Sequence, residues 1–146
     1  MIKLFEGKKG LVLGVANDRS IAWAVAREIM DQGGFCGFSH LPDKADDARK
    51  KNRLRVSKCV EKYPDQTAFL EPLDVQSDQQ VTQFMQMAGE RLGGIDFLLH
   101  SIAFADREDL GRETVETSRE GFKLAMDVSV YSLMSVTNAA RRLFHA

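Results

Sequence analysis

The chain has 146 residues, 44% of them hydrophobic and 28% charged, with a formal net charge of -1. That length and composition describe one globular domain with enough apolar mass for a core. The near-neutral balance argues against a nucleic-acid surface or an anionic membrane as partner, and the longest apolar runs are far too short to cross a bilayer.

The segment Met1 to Gly7 has neither the long apolar stretch nor the small-residue cleavage site of a signal peptide. Gly10 onward is different in kind. Gly10 to Val15 predicts a first strand, followed by a turn and a helix start at Ser20. Ile21, Ala24, Val25 and Ile29 give that helix an apolar face at a 3.6-residue rhythm, and Gly33-Gly34 ends it. Phe35 to Ser39 is a second strand; Cys36 within it is expected to be a small core residue. Cys36 and Cys59 form neither a metal-ligand spacing nor a disulfide framework, and two scattered thiols fit a reducing cytoplasm.

Pro42-Asp43 opens a charged segment from Lys44 to Tyr63, with Val56, Cys59, Val60 and Tyr63 at helical spacing and Pro64-Asp65 as its stop. Thr67 to Leu70 begins a third strand running toward Asp74-Val75. Ser77-Asp78-Gln79-Gln80 has the form of a capping box, and Val81, Phe84, Met85, Ala88 and Leu92 form one stripe behind it. Met85 and Met87 read as core and rim. Gly93-Gly94 breaks the helix. Ile95 to Leu99 is a fourth strand, a near-continuous apolar run suited to a sheet covered on both faces. A polar loop from Asp106 to Glu116 follows. Thr117-Ser118-Arg119-Glu120 reads as a second capping box, opening a long helix that carries Phe122, Ala125, Met126, Ser129, Leu133, Val136, Ala140 and Leu143. Arg141-Arg142 reads as a solvated face.

Four strands alternating with helices predict an α/β fold: a Rossmann-type doubly wound parallel sheet in the order 3-2-1-4. The switch point lies between strands one and four, and ligands bind at the carboxyl ends of strands beside such a point. Four loops meet there: Gly14 to Ile21, His40-Leu41, Asp74-Val75 and Ser101 to Ala105. Gly14 permits close backbone approach to a ligand. The amides of Ser20 and Ile21, with the Ser20 hydroxyl, suit a pyrophosphate at a helix start; a plain N-cap role for Ser20 is compatible with that. Ala22 keeps the helix close to the strand.

Those loops carry a signature. G-V-A-N-D-R-S-I-A-W at Gly14 to Trp23, H-S-I-A-F-A at His100 to Ala105, S-R-E-G-F-K at Ser118 to Lys123 and D-V-S-V-Y-S at Asp127 to Ser132 resemble the bacterial enoyl-acyl-carrier-protein reductases. This is a divergent branch of the short-chain dehydrogenase/reductase superfamily, in which Ser20 and Ala22 replace the later glycines of G-x-x-x-G-x-G. The resemblance spans all 146 residues, read as the N-terminal part of a single dinucleotide-binding domain.

The resemblance implies reduction of a trans-2-enoyl thioester on acyl carrier protein, the last step of each fatty-acid elongation cycle, by a cytoplasmic homotetramer. It places Asp74 against the adenine amino group with Val75 beside it, against the plainer reading of Asp74 as an acid near the Ser77 cap. It places Ile102 on the nicotinamide side and Ala105 near the substrate thioester. Ala103 stands where some members carry Gly. Several members have Gln at the position of Leu41. With no strong acid and no adjacent basic pair after strand two, the cofactor reads as NADH. His40 and Lys44 keep NADPH open.

His100 reads as structural, bonded to backbone, and Tyr131 does not carry the catalytic phenol. Ser129 falls where many superfamily members hold a helix-kinking Asn. The family's catalytic Tyr and Lys are expected beyond Ala146, so these 146 residues by themselves are expected to be inactive and marginal in solution. Two alternatives stand beside this reading: a non-catalytic dinucleotide-binding module, and another short-chain reductase acting on a 3-ketoacyl group or a sugar.

Overall fold

The computed structural model describes residues 3–144. Met1 and Ile2, from the segment inspected for a leader, and the last two residues of the domain span lie outside the described residues.

Four parallel strands form one sheet: β1 (Lys9–Leu13), β2 (Phe35–His40), β3 (Thr67–Pro72) and β4 (Phe97–His100), in the spatial order β3-β2-β1-β4. The order is the one expected. β1 occupies the centre because Gly10 to Leu13 is an uninterrupted small and apolar run, and Leu11, Val12 and Leu13 are fully buried. Successive side chains of β1 leave on opposite faces. Leu11 and Leu13 join one core with Phe84, Met85, Ala88 and Val136; Val12 joins the other with Trp23, Ala26, Met30 and Val56. Two cores on two faces are the signature of a doubly wound sheet.

The helices are α1 (Ile21–Asp31), α2 (Lys51–Val60), α3 (Asp78–Leu92), α4 (Arg107–Leu110), α5 (Arg119–Met126) and α6 (Ser132–Ala140). The expected α3 stripe is buried residue for residue, with Met87 packed at its rim. Cys36 is core, and burial pushes its thiol up to about 12.

Several local expectations are corrected. The inner face of α1 is Ala22, Trp23, Ala26, Ile29 and Met30, while Ile21 is 77% exposed and Val25 faces outward. Both stripes have helical spacing; Trp23, packed on Phe38 and Tyr63, decides between them. β4 begins two residues later than expected, and its residues are half-buried rather than fully covered. The loop from Asp106 to Glu116 contains α4 and a short 3-10 turn at Thr114–Glu116. α5 is capped by Ser118, not Thr117: Ser118 Oγ accepts the Gly121 amide at 3.0 Å, and Asp109 holds Ser118 through both its amide and its hydroxyl.

The expected long helix is interrupted by a π-helical turn at Asp127–Tyr131 between α5 and α6. An extra residue in a helix shifts the faces on either side of it. Ser132, Val136 and Ala140 are therefore buried, while Phe122, Met126 and Leu133 are exposed.

Candidate functional site

The carboxyl edge of the sheet is built first at the exit of β1. Gly14 has φ +108, and a Cβ there would strike the Ser101 carbonyl. The need for glycine thus comes from the loop after β4, which the Ser101 amide ties to Leu13 O at 2.9 Å. The following turn is self-bonded. Ser20 Oγ accepts the amides of Ala16 at 3.0 Å and Asn17 at 3.1 Å, and Asn17 Oδ1 accepts the amide of Arg19.

Ser20 stands at the N-cap position of α1 with no side-chain cap bond. Its hydroxyl faces back into the turn, which corrects the expectation of a plain side-chain cap. Trp23 and Ala24 direct their amides to Ser20 O. The amides of Ile21 and Ala22 meet no acceptor among the described residues. They sit at the positive end of an 11-residue helix, an anion site in waiting. Because Ser20 Oγ only accepts within the turn, its own proton remains to be donated there.

At the exit of β2, His40 is 5% exposed. Its Nδ1 lies 2.9 Å from the Leu41 carbonyl, which only accepts, so Nδ1 carries the proton. Leu41 is exposed. Asp43 is committed: its two oxygens accept the amides of Asn52 at 2.6 Å and Arg53 at 3.3 Å, and Asn52 Nδ2 donates to Pro42 O. That clamp brings the first turn of α2 to the site.

At the exit of β3, Asp74 Oδ1 accepts the Gln76 amide at 3.0 Å. Its Oδ2 accepts no bond among the described residues. Ser77 Oγ accepts the Gln80 amide at 3.3 Å, as half of the expected capping box. The other half differs: Gln80 Oε1 accepts from Asp74, not from Ser77.

At the exit of β4, Ser129 Oγ accepts the Phe104 amide at 3.1 Å and donates to Phe104 O at 3.2 Å. Ser132 Oγ donates to Val128 O at 2.6 Å, so its 2.8 Å partner His100 Nε2 must be the donor. Burial lowers the His100 pKa below its ordinary 6.5 and keeps the ring neutral. His100 is held structurally by the Ser132 side chain, beside the backbone hydrogen bond that was expected. Tyr131 is exposed on the π-helical turn, and Arg141-Arg142 are exposed as expected.

These exits surround a cavity of about 410 Å³. Gly14, Leu41, Asp74, Val75 and Ile102 line it together. Ser20 and Ile21 lie outside the lining, beyond Ala16, the last residue of the first turn to reach it. Ala105 lines a second concavity with Phe104, Phe122 and Met126. Among the described residues, no Tyr or Lys lines either one. Among the lining residues that the sequence did not assign to the site are Asn52, Arg55 and Val56 of α2. Their spacing, i, i+3 and i+4, marks one helix face. In a charged helix, nothing local distinguishes that face from the solvated one.

The donor set fits an adenine dinucleotide: free amides for paired phosphates, an acid at one end, and an apolar cavity between. A family model for enoyl-(acyl carrier protein) reductase matches residues 14–146. The chain belongs to the enoyl-(acyl carrier protein) reductase family. Within the family, an NADH-type FabI reductase of Nostoc is 39% identical over 94% of this chain and 51% of its own length. An NADPH-type FabI reductase of Staphylococcus aureus is also 39% identical, over 94% of this chain and 51% of its own. The crystal structure of the NADH reductase from Aquifex aeolicus superimposes with a TM-score of 0.88 at 34% identity, covering 98% of this chain and 53% of that one. The chain spans about half the length of the curated relatives it matches.

Proposed function

We propose that the 146 residues form the cofactor half of an NADH-dependent enoyl-acyl-carrier-protein reductase, the N-terminal part of one dinucleotide-binding domain. The carrying observation is the pair of uncapped amides at Ile21 and Ala22, beside a cavity at the sheet's switch point. In this reading the Ile21 and Ala22 amides and the Ser20 hydroxyl hold the pyrophosphate. Asp74, whose Oδ2 is open, accepts from the adenine amino group, with Val75 against the ring. Ile102 flanks the nicotinamide, and Ala105 faces the thioester. Bound nicotinamide supplies the hydride that reduces the trans-2-enoyl group on acyl carrier protein during fatty-acid elongation.

The family's Tyr and Lys are assigned to the segment after Ala146. The whole protein is read as a cytoplasmic homotetramer without membrane or nucleic-acid partners, and no described helix is long and apolar enough to cross a membrane.

The test is a fluorescence titration of the chain with NADH. Saturable binding that weakens in both Ser20→Ala and Asp74→Ala supports the assignment; unchanged affinity in both variants overturns it.

A further inference from the structure

Arg55 is the one lysine or arginine that lines the 410 Å³ cavity among the described residues. Its side chain forms no ion pair among those residues. We infer that Arg55 receives a phosphate on the adenosine 2′ oxygen, so that this chain binds NADPH as well as NADH. The inference rests on the nucleotide reading above.

The free amides of α1 fix the pyrophosphate at the switch point, and Asp74 at the end of β3 fixes the adenine. The intervening ribose then lies at the end of β2, where an acid reads a 2′-hydroxyl and an arginine accommodates a 2′-phosphate.

The groups near that strand end sort themselves. Asp43, the first acid after β2, accepts the amides of Asn52 and Arg53 and is not part of the cavity lining, so it presents no carboxylate to the ribose there. His40 is buried with its Nδ1 proton on the Leu41 carbonyl. Lys44 is not part of the lining. Arg55 remains, and its presence follows from the same clamp. Asp43 and Pro42 hold the first turn of α2 against the strand end, and Asn52, Arg55 and Val56 share the face that results. A guanidinium fork matches phosphate oxygens in a way that no neutral group does.

Binding is measured by calorimetry on the 146-residue chain with four probes: NADPH, NADH, adenosine 2′,5′-bisphosphate and AMP. In the unaltered chain NADPH and the bisphosphate bind saturably, and added salt weakens them more than it weakens NADH and AMP. Arg55→Leu is expected to weaken NADPH and the bisphosphate by about tenfold or more while NADH and AMP change by less than about threefold. Arg55→Lys restores part of the loss. Equal losses for phosphorylated and unphosphorylated probes, unchanged NADPH affinity in Arg55→Leu, or binding of NADH without NADPH each overturn the role of Arg55 and leave the nucleotide site standing. Failure of the unaltered chain to bind any of the four overturns the nucleotide reading itself.

Discussion

Gln80 Oε1 accepts the backbone amide of Asp74 at 3.0 Å. The first turn of α3 thereby fixes the exit of β3, and with it the carboxylate assigned to the adenine. Asp74 Oδ1 is also engaged, on the Gln76 amide. Two bonds thus set the direction of the remaining oxygen.

Replacing Gln80 by Leu is predicted to separate that positioning role from simple helix capping. The Ser77 cap does not use the Gln80 side chain and survives. One lost hydrogen bond costs about 1 kcal/mol, a fall of about 2–4 °C in Tm by scanning calorimetry. If the bond only stabilises the fold, NADH and its hypoxanthine analogue lose affinity together. If it aims Asp74, the preference for adenine narrows, because a misdirected carboxylate no longer meets the exocyclic amine.

Gly14→Ala is predicted to be far more damaging than Gly93→Ala. Both glycines have positive φ, at +108 and +73. A Cβ at position 93 meets nothing within 4 Å, whereas one at position 14 runs into the Ser101 carbonyl. Gly93→Ala costs about 1 kcal/mol of backbone strain. Gly14→Ala adds overpacking against rigid backbone and totals about 3 kcal/mol or more. Urea midpoints of the two variants compare them directly. Similar midpoints would show that the loop after β4 moves aside freely.

The legible part of this fold was the part written in local pattern. Short apolar runs between helical stripes placed the start of every strand within two residues, and the stripe from Val81 to Leu92 was buried as read. Features decided by tertiary partners were not legible. Two stripes of equal period compete on α1, and only the bulk of Trp23 against Phe38 and Tyr63 selects one. Thr117 and Ser118 are adjacent hydroxyls, and Asp109 chooses between them. The π-helical turn coincides with Ser129 gripping Phe104 and Ser132 gripping His100, bonds spanning 25 and 32 residues. The same holds at the site. Gly14, Leu41, Asp74, Val75 and Ile102 were found because strand ends in a doubly wound sheet converge. Arg55 was missed because its approach depends on Asp43 capping a helix nine residues away.

Acid is predicted to loosen the packing of α6. Burial lowers the folded pKa of His100, while the unfolded chain protonates that imidazole near 6.5. The unfolded state therefore binds more protons below that value. Stability is full above it and falls as pH drops through it, until the folded ring is protonated as well. Asp109, held below its ordinary 3.8 by the Ser118 amide and hydroxyl, titrates beneath this window. Tm is expected to fall more between pH about 7.5 and about 5.5 in the unaltered chain than in His100→Gln, whose amide also donates to Ser132 without titrating. Parallel decreases in the two proteins would remove His100 from the account.

The 146-residue chain is predicted to self-associate. Phe122, Tyr131, Leu133 and Met134 are 58%, 51%, 49% and 58% exposed along α5, the π-helical turn and α6. Nearby, β4 pairs only with β1 among the described residues, leaving a row of backbone groups unpaired on its other side. An apolar surface beside an open strand edge favours association between chains. Sedimentation velocity is expected to show concentration-dependent species above monomer mass. Leu133→Lys with Met134→Lys should reduce them without lowering Tm, since neither side chain is buried. A single monomeric boundary in the unaltered chain, accompanied by a sharp two-state melt, would show that this surface is tolerated by water.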